Sequence, residues 1–221
     1  MRDLILLHGA LETSKVMAPL AKILNESFRC HVVSFAGHGA PGAWPDPFRI
    51  ETFVDQLDGH LTQHQLKNVT VVGHSMGGYV ALSHLAFVED SPISRVVCYG
   101  TKFDWSEKTV ASMLAQLHPE NEALMAYLKQ EFGDQATRLL ASTTHMMSHL
   151  ERLDGLQPVD LVEIQATVDL VWGDKDKVVT LSETELTASL LPHGQMHVLK
   201  DSRHEMERCD VQALAAIIAG Q

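Results

Sequence analysis

Six residues, Gly73-His74-Ser75-Met76-Gly77-Gly78, directly follow the apolar run Val69 to Val72 and precede a helical stretch from Tyr79 to Val88. A serine with this G-x-S-x-G spacing between a strand and a helix is presented as a nucleophile. So tight a turn forces the serine into strained dihedrals and leaves no room for a Cβ at the flanking positions. The helix that follows offers N–H groups and the positive end of its dipole where an oxyanion would form, so Met76 N–H is an expected donor. A Gly-x-Gly-x-x-Gly dinucleotide loop is the rival reading of a glycine-rich strand-to-helix turn, and its spacing does not match.

A hydroxyl is a weak nucleophile until a base takes its proton. Thirteen histidines offer candidates. His204 lies in a loop after the last apolar run, whereas His197 alternates within a strand pattern and His193 follows Pro192 in a turn. A carboxylate that orients the base is sought at Asp174 or Asp176, which share one loop and are not separated by spacing alone, or at Asp104, which also reads as an N-cap for a following helix.

These residues need a scaffold that brings them together. Short apolar runs bounded by turn residues recur at Leu4 to Leu7, His31 to Phe35, Val69 to Val72, Arg95 to Tyr99, Val168 to Trp172 and Met196 to Leu199. Such runs suit parallel strands buried on both faces. Between them lie helical spacings such as Val16, Leu20, Ile23 and Leu24, and Ile50, Phe53, Val54, Leu57 and Leu61. Strand and helix alternate, so the expected architecture is a doubly wound α/β sheet of about six mostly parallel strands flanked by helices. From Asp104 to Leu161 only helical patterns occur, which predicts a helical lid over 104–161 inserted in a core of 1–103 and 162–221. Asp210 is the expected N-cap of a closing helix.

The 221 residues fit one domain, and 45% hydrophobic with 20% charged residues is an ordinary globular composition. A net charge of -11 argues against nucleic acid and anionic membrane surfaces as partners. The run Leu4 to Leu7 is too short for a signal-peptide core or a membrane span, so a cytoplasmic location is expected. Cys30, Cys98 and Cys209 lack metal-type spacing and read as reduced, mostly buried thiols. His145 and His149, four apart on a helical pattern, lack a third ligand and read as a polar lid face, so no metal is expected.

The ordered set His8-Gly9, Gly37-His38-Gly39, the serine elbow, Gly173-Asp174-Lys175-Asp176 and His204 resembles the α/β-hydrolase superfamily, and within it the small, lid-bearing, esterase-like members. The likeness spans nearly the whole chain. It implies a second oxyanion donor at Ala10 N–H, the acid at Asp176, and the order serine, acid, histidine that selects His204. Ser34-Phe35-Ala36 stands where relatives commonly carry an Asp, and Arg203 stands where a Gly often precedes the histidine. The His-Gly strand comes almost at once where relatives commonly have an antiparallel hairpin first, so a shortened, mostly six-stranded sheet is expected.

The resemblance implies an esterase or thioesterase with Ser75, His204 and Asp176 as a triad and no cofactor. His74, Met113, Met146 and Met147 are expected substrate contacts, the methionines favouring an apolar acyl group on a small-molecule substrate. The same site supports carbon-carbon bond hydrolysis or lyase chemistry, and a non-catalytic ligand-binding module is the alternative from another class. A homodimer is the assembly kept in view.

Overall fold

The structure, a computed structural model, describes residues 1–40, 42–150 and 155–220. Positions 151–154 of the predicted lid therefore lie outside the described residues.

Six strands, β1 (Arg2–Leu7), β2 (Phe28–Val33), β3 (Val69–His74), β4 (Ile93–Tyr99), β5 (Thr167–Gly173) and β6 (Gly194–Leu199), form one parallel sheet in the order β2-β1-β3-β4-β5-β6. The chain steps outward from β1 to β2 and then returns past β1 to β3. The carboxyl ends of β1 and β3 thus flank a topological switch point, where open α/β sheets bind ligands. His8-Gly9-Ala10 leaves β1 at that crevice, and Ser75 leaves β3 there.

Alternation along each strand sends neighbouring side chains to opposite faces. Leu4, Leu6, Val72, Val97 and Val171 pack with α1 (Ala18–Leu24) and α9 (Val211–Ala219) in one core. Ile5, Leu7, Val71, Val96, Cys98 and Leu170 pack with α2 (Ile50–Gln63) and α3 (Met76–Phe87) in the other. Double burial holds for the four central strands only. The edge strands β2 and β6 show mixed exposure, which is why β2 runs from Phe28 through the polar Arg29 and His31 and stops at Val33, rather than spanning His31 to Phe35.

Between β4 and β5 the chain forms α4 (Glu107–Gln116), α5 (Glu122–Phe132), α6 (Ala136–His149) and the short α7 (Pro158–Val162). Met125, Leu128, Leu139, Leu140 and Met146 of this segment join the second core, so the inserted helices are packed onto the sheet domain. α8 (Leu181–Leu190) links β5 to β6. Asp210 caps α9 by accepting from Ala213 N–H at 3.0 Å. Cys98 is buried, Cys30 and Cys209 are half-buried, and all three are unpaired. Among the described residues no helix is long and apolar enough to cross a membrane.

Candidate active site

Ser75 stands at the junction of β3 and α3 with φ 49° and ψ -114°, a left-handed backbone that a side-chain-bearing residue rarely adopts. Its N–H donates to Tyr99 O at 2.9 Å, which anchors the turn to the neighbouring strand. The flanking glycines are steric requirements. A Cβ at Gly77 would lie 2.6 Å from Leu7 O, and one at Gly73 would collide with the backbone of Gly77 and Gly78. Met76, the first residue of α3, has no intrahelical acceptor for its N–H.

The loops after β5 and β6 bring in the other two groups. Asp176 Oδ2 lies 2.9 Å from His204 Nδ1, and because an ionised carboxylate only accepts, Nδ1 carries the proton. Asp176 Oδ1 accepts from Val178 N–H at 2.7 Å and Val179 N–H at 2.9 Å. Burial by itself would raise the Asp176 carboxyl. The hydrogen bond and charge of His204, with the two backbone donors, outweigh that effect and hold it below the ordinary carboxylate value. His204 Nε2 has no hydrogen-bond partner among the described residues, and His204 lines the same cavity as Ser75. No direct hydrogen bond joins Ser75 Oγ to His204 among the described residues, a looseness common before substrate binds.

None of the other candidates bonds to His204 among the described residues. Asp104 accepts from Ser106 N–H at 3.1 Å and Thr109 Oγ1 at 2.5 Å, tying the turn that starts α4. Asp174 Oδ2 lies 3.7 Å from Lys200 Nζ. His197 pairs with Asp169 at 2.7 Å, and His193 sits in the turn before β6, its carbonyl accepting from Val168 N–H.

Above Ser75 a narrow cavity is walled by Ile50, Tyr79, Trp105, Met146, Met147 and Leu150, with Ala10, Met76 and Met113 beside the serine. It opens into a wider mouth that Met113 and Met147 share with the polar Asp104, Lys108, Thr109, Ser112 and Lys177. Ala10, Met76, Met113, Met146 and Met147 therefore all surround one space. His74 does not, contrary to its expected role as a substrate contact. It is 1% exposed, lies beneath the serine, and spends both ring nitrogens on protein partners. The x position of the motif directs its side chain into the protein, opposite to the serine's.

Two further features were not anticipated. Lys102, 7% exposed and lining both parts of the cavity, pairs with Glu183 at 3.0 Å. Glu183 Oε1 also accepts from Phe103 N–H at 2.7 Å and Asp104 N–H at 2.8 Å, so it fixes the segment that leaves β4. Thr180-Leu181-Ser182-Glu183 carries the Thr-x-x-Glu capping-box spacing, a legible signal for this helix start but not for the lysine. The second feature is Glu12, bonded to His74, which no local pattern marks.

The profile described as "Alpha/beta hydrolase family" matches residues 4–217. Among curated proteins, the chain is 24% identical to a pimeloyl-[acyl-carrier protein] methyl ester esterase of Xylella fastidiosa strain M12, over 89% of this chain and 84% of that one. It is 27% identical to the enzyme so named in Yersinia pseudotuberculosis serotype O:1b, over 91% and 86%. Among solved structures, an esterase from Exiguobacterium antarcticum superposes with a TM-score of 0.83 at 18% identity, covering all of this chain and 91% of that one. NosK from Streptomyces actuosus superposes at 0.81 and 18% identity, over 99% and 96%. These likenesses at low identity carry the fold, and the profile carries the family: the chain is a member of the α/β-hydrolase family.

Proposed function

We propose that the protein is a serine hydrolase that cleaves a carboxylic ester or thioester bearing an apolar acyl group. The observation that carries this reading is the 2.9 Å contact of Asp176 with His204 Nδ1, which leaves Nε2 unpartnered in the cavity that Ser75 lines. In this mechanism Ser75 Oγ attacks the carbonyl while His204 Nε2 takes its proton. The tetrahedral oxyanion is held by Met76 N–H and Ala10 N–H. The imidazolium, stabilised by Asp176, then returns the proton to the leaving group, and water repeats the cycle on the acyl-enzyme. Besides substrate and water, each step uses only side chains and backbone donors of this chain.

The lining of the cavity supports the substrate class. The apolar inner chamber accepts the acyl chain, while the wide polar mouth accommodates a larger leaving group. The inserted helices α4 to α6 act as the lid in this reading, over the predicted segment 104–161. The esterase names of the curated relatives favour ester hydrolysis over carbon-carbon bond cleavage.

A fluorophosphonate probe with adduct mapping by mass, combined with p-nitrophenyl esters of graded chain length, tests the reading. Wild type is expected to label at Ser75 and to turn over medium-chain esters. Ser75→Ala should lose both, and Asp176→Asn should lose roughly 10³–10⁴-fold in kcat through misorientation of the base. An unlabelled Ser75 without turnover identifies a ligand-binding module instead, and the same loss in Asp104→Asn reassigns the acid.

A further inference from the structure

Two ionisable side chains lie beneath Ser75 that the mechanism above does not use. His74 Nδ1 is 2.8 Å from Glu12 Oε2, and His74 Nε2 is 2.8 Å from the backbone oxygen of His204. A carbonyl oxygen only accepts, so Nε2 must carry a proton and donate. The same Glu12 Oε2 accepts from Gly9 N–H at 2.8 Å.

The charge state follows from the surroundings. Burial alone would push His74 down and Glu12 up. For His74, the charge and hydrogen bond of Glu12, the bond to His204 O and the charge of Asp176 outweigh burial and raise it. For Glu12, the charge and hydrogen bond of His74 and the Gly9 N–H lower it. With Nε2 donating to His204 O and Nδ1 against Glu12 Oε2, both directions favour a buried imidazolium facing a carboxylate, its donors filled. A buried ion pair is tolerable under that condition.

What the pair connects is specific. Gly9 precedes Ala10, which lines the cavity beside Ser75. His204 carries the ring that Asp176 orients, and the preceding carbonyl, Arg203 O, accepts from the Tyr99 hydroxyl. The loop after β1 and the loop after β6 are nearly two hundred residues apart in sequence, and one proton shared between Glu12 and His74 joins them under the serine.

We infer that Glu12 and His74 form a positioning pair that locks the Gly9–Ala10 loop and the Arg203–His204 loop into register around Ser75. This rests on the serine-hydrolase reading of the site. Only the doubly protonated ring donates to both partners at once, because neutral imidazole has a single N–H. Glu12→Gln cannot reproduce the arrangement. Turned one way, the amide oxygen accepts from Gly9 and leaves the neutral ring a proton for either Glu12's position or His204 O. Turned the other way, the amide N–H faces Gly9 N–H.

The test uses the full chain and compares wild type with Glu12→Gln and His74→Gln. Active sites are counted by stoichiometric fluorophosphonate labelling, and p-nitrophenyl ester hydrolysis is expressed per labelled site. A positioning role predicts kcat per labelled site lower by about 10- to 100-fold with KM within about threefold, as expected for a small misplacement of reacting groups. A smaller labelled fraction with unchanged kcat per site would reduce the pair to fold stability and overturn the inference. Histidine ¹⁵N NMR of wild type at pH 8 reads the same point without turnover or a variant. Both ring nitrogens of His74 are expected to be protonated, and a singly protonated His74 overturns the inference. Absence of labelling and turnover in wild type would instead sink the serine-hydrolase reading, and the NMR outcome would still decide the ionic state on which the pair depends.

Discussion

Gly100 carries no functional group, yet it sits against the two groups proposed to activate the serine. Its φ is +59°, and a Cβ there would stand 3.2 Å from His204 Nδ1 and 3.3 Å from Asp176 Oδ2. Any side chain would therefore press on the bond between them while straining its own backbone. Gly100→Ala is expected to fold and to lose at least about tenfold in kcat, in line with the cost of small displacements at a reacting centre. Ester turnover alongside circular dichroism checks this, and full activity would show that the pair has slack. At this scale Ser75 was legible because the glycines around it are demanded by local sterics. The assignment among Asp104, Asp174 and Asp176 was not legible from spacing. It depends on which loop reaches across 28 residues of sequence to His204.

At the scale of elements, β1, β3, β4, β5 and β6 end where the loops that carry Ala10, Ser75, Lys102, Asp176 and His204 begin. The helices set those loops by their termini. α8 is the clearest case: its capping box places Glu183 so that the carboxylate that caps the helix also holds Lys102 and two backbone N–H groups beyond β4. Lys102 and Glu183 side chains are only 8% and 7% exposed. Removing one partner leaves a buried charge uncompensated, so Glu183→Ala should destabilise the fold by about 3–5 kcal/mol. Lys102→Met combined with Glu183→Leu should recover part of that loss, although two backbone donors remain unpaired. Urea denaturation of Lys102→Met, Glu183→Leu, their double variant and Glu183→Ala measures both, and additive losses of the two singles in the double would mean that the two side chains do not interact. The edge strand β2 shows the limit of pattern reading at this scale. A run of apolar residues locates a strand by its burial, and a strand with one solvated edge shows less of that signal.

For the molecule as a whole, the distribution of histidines makes stability depend on pH. Burial lowers His38 to about 3, and His8 and His84 are also lowered chiefly by burial. A histidine depressed in the folded state binds its proton more readily when unfolded. The stability it contributes is complete above pH 6.5 and is lost as pH falls from there through the folded value. Each such group steepens the decline by up to about 1.4 kcal/mol per pH unit. His74 acts in the opposite sense, since its raised value adds stability that is lost as pH rises through that value. His38, lowered to about 3, contributes through this whole fall, and His38→Phe should flatten the slope below pH 6.5 by about one histidine's share. Denaturation midpoints at several pH values test this, and an unchanged slope would mean that His38 is not protonated on unfolding alone. By itself the sequence determined the alternating architecture, the elbow at Ser75, the order of the loops and the helical insertion, because burial, turn sterics and periodicity act over a few residues and leave a local imprint. Only the tertiary structure decided that Asp176 reaches His204, that His74 turns inward, and that Glu12 and Lys102 find their partners. Those pairings depend on which strand ends lie side by side in the folded sheet, and nothing in a local stretch of chain records that.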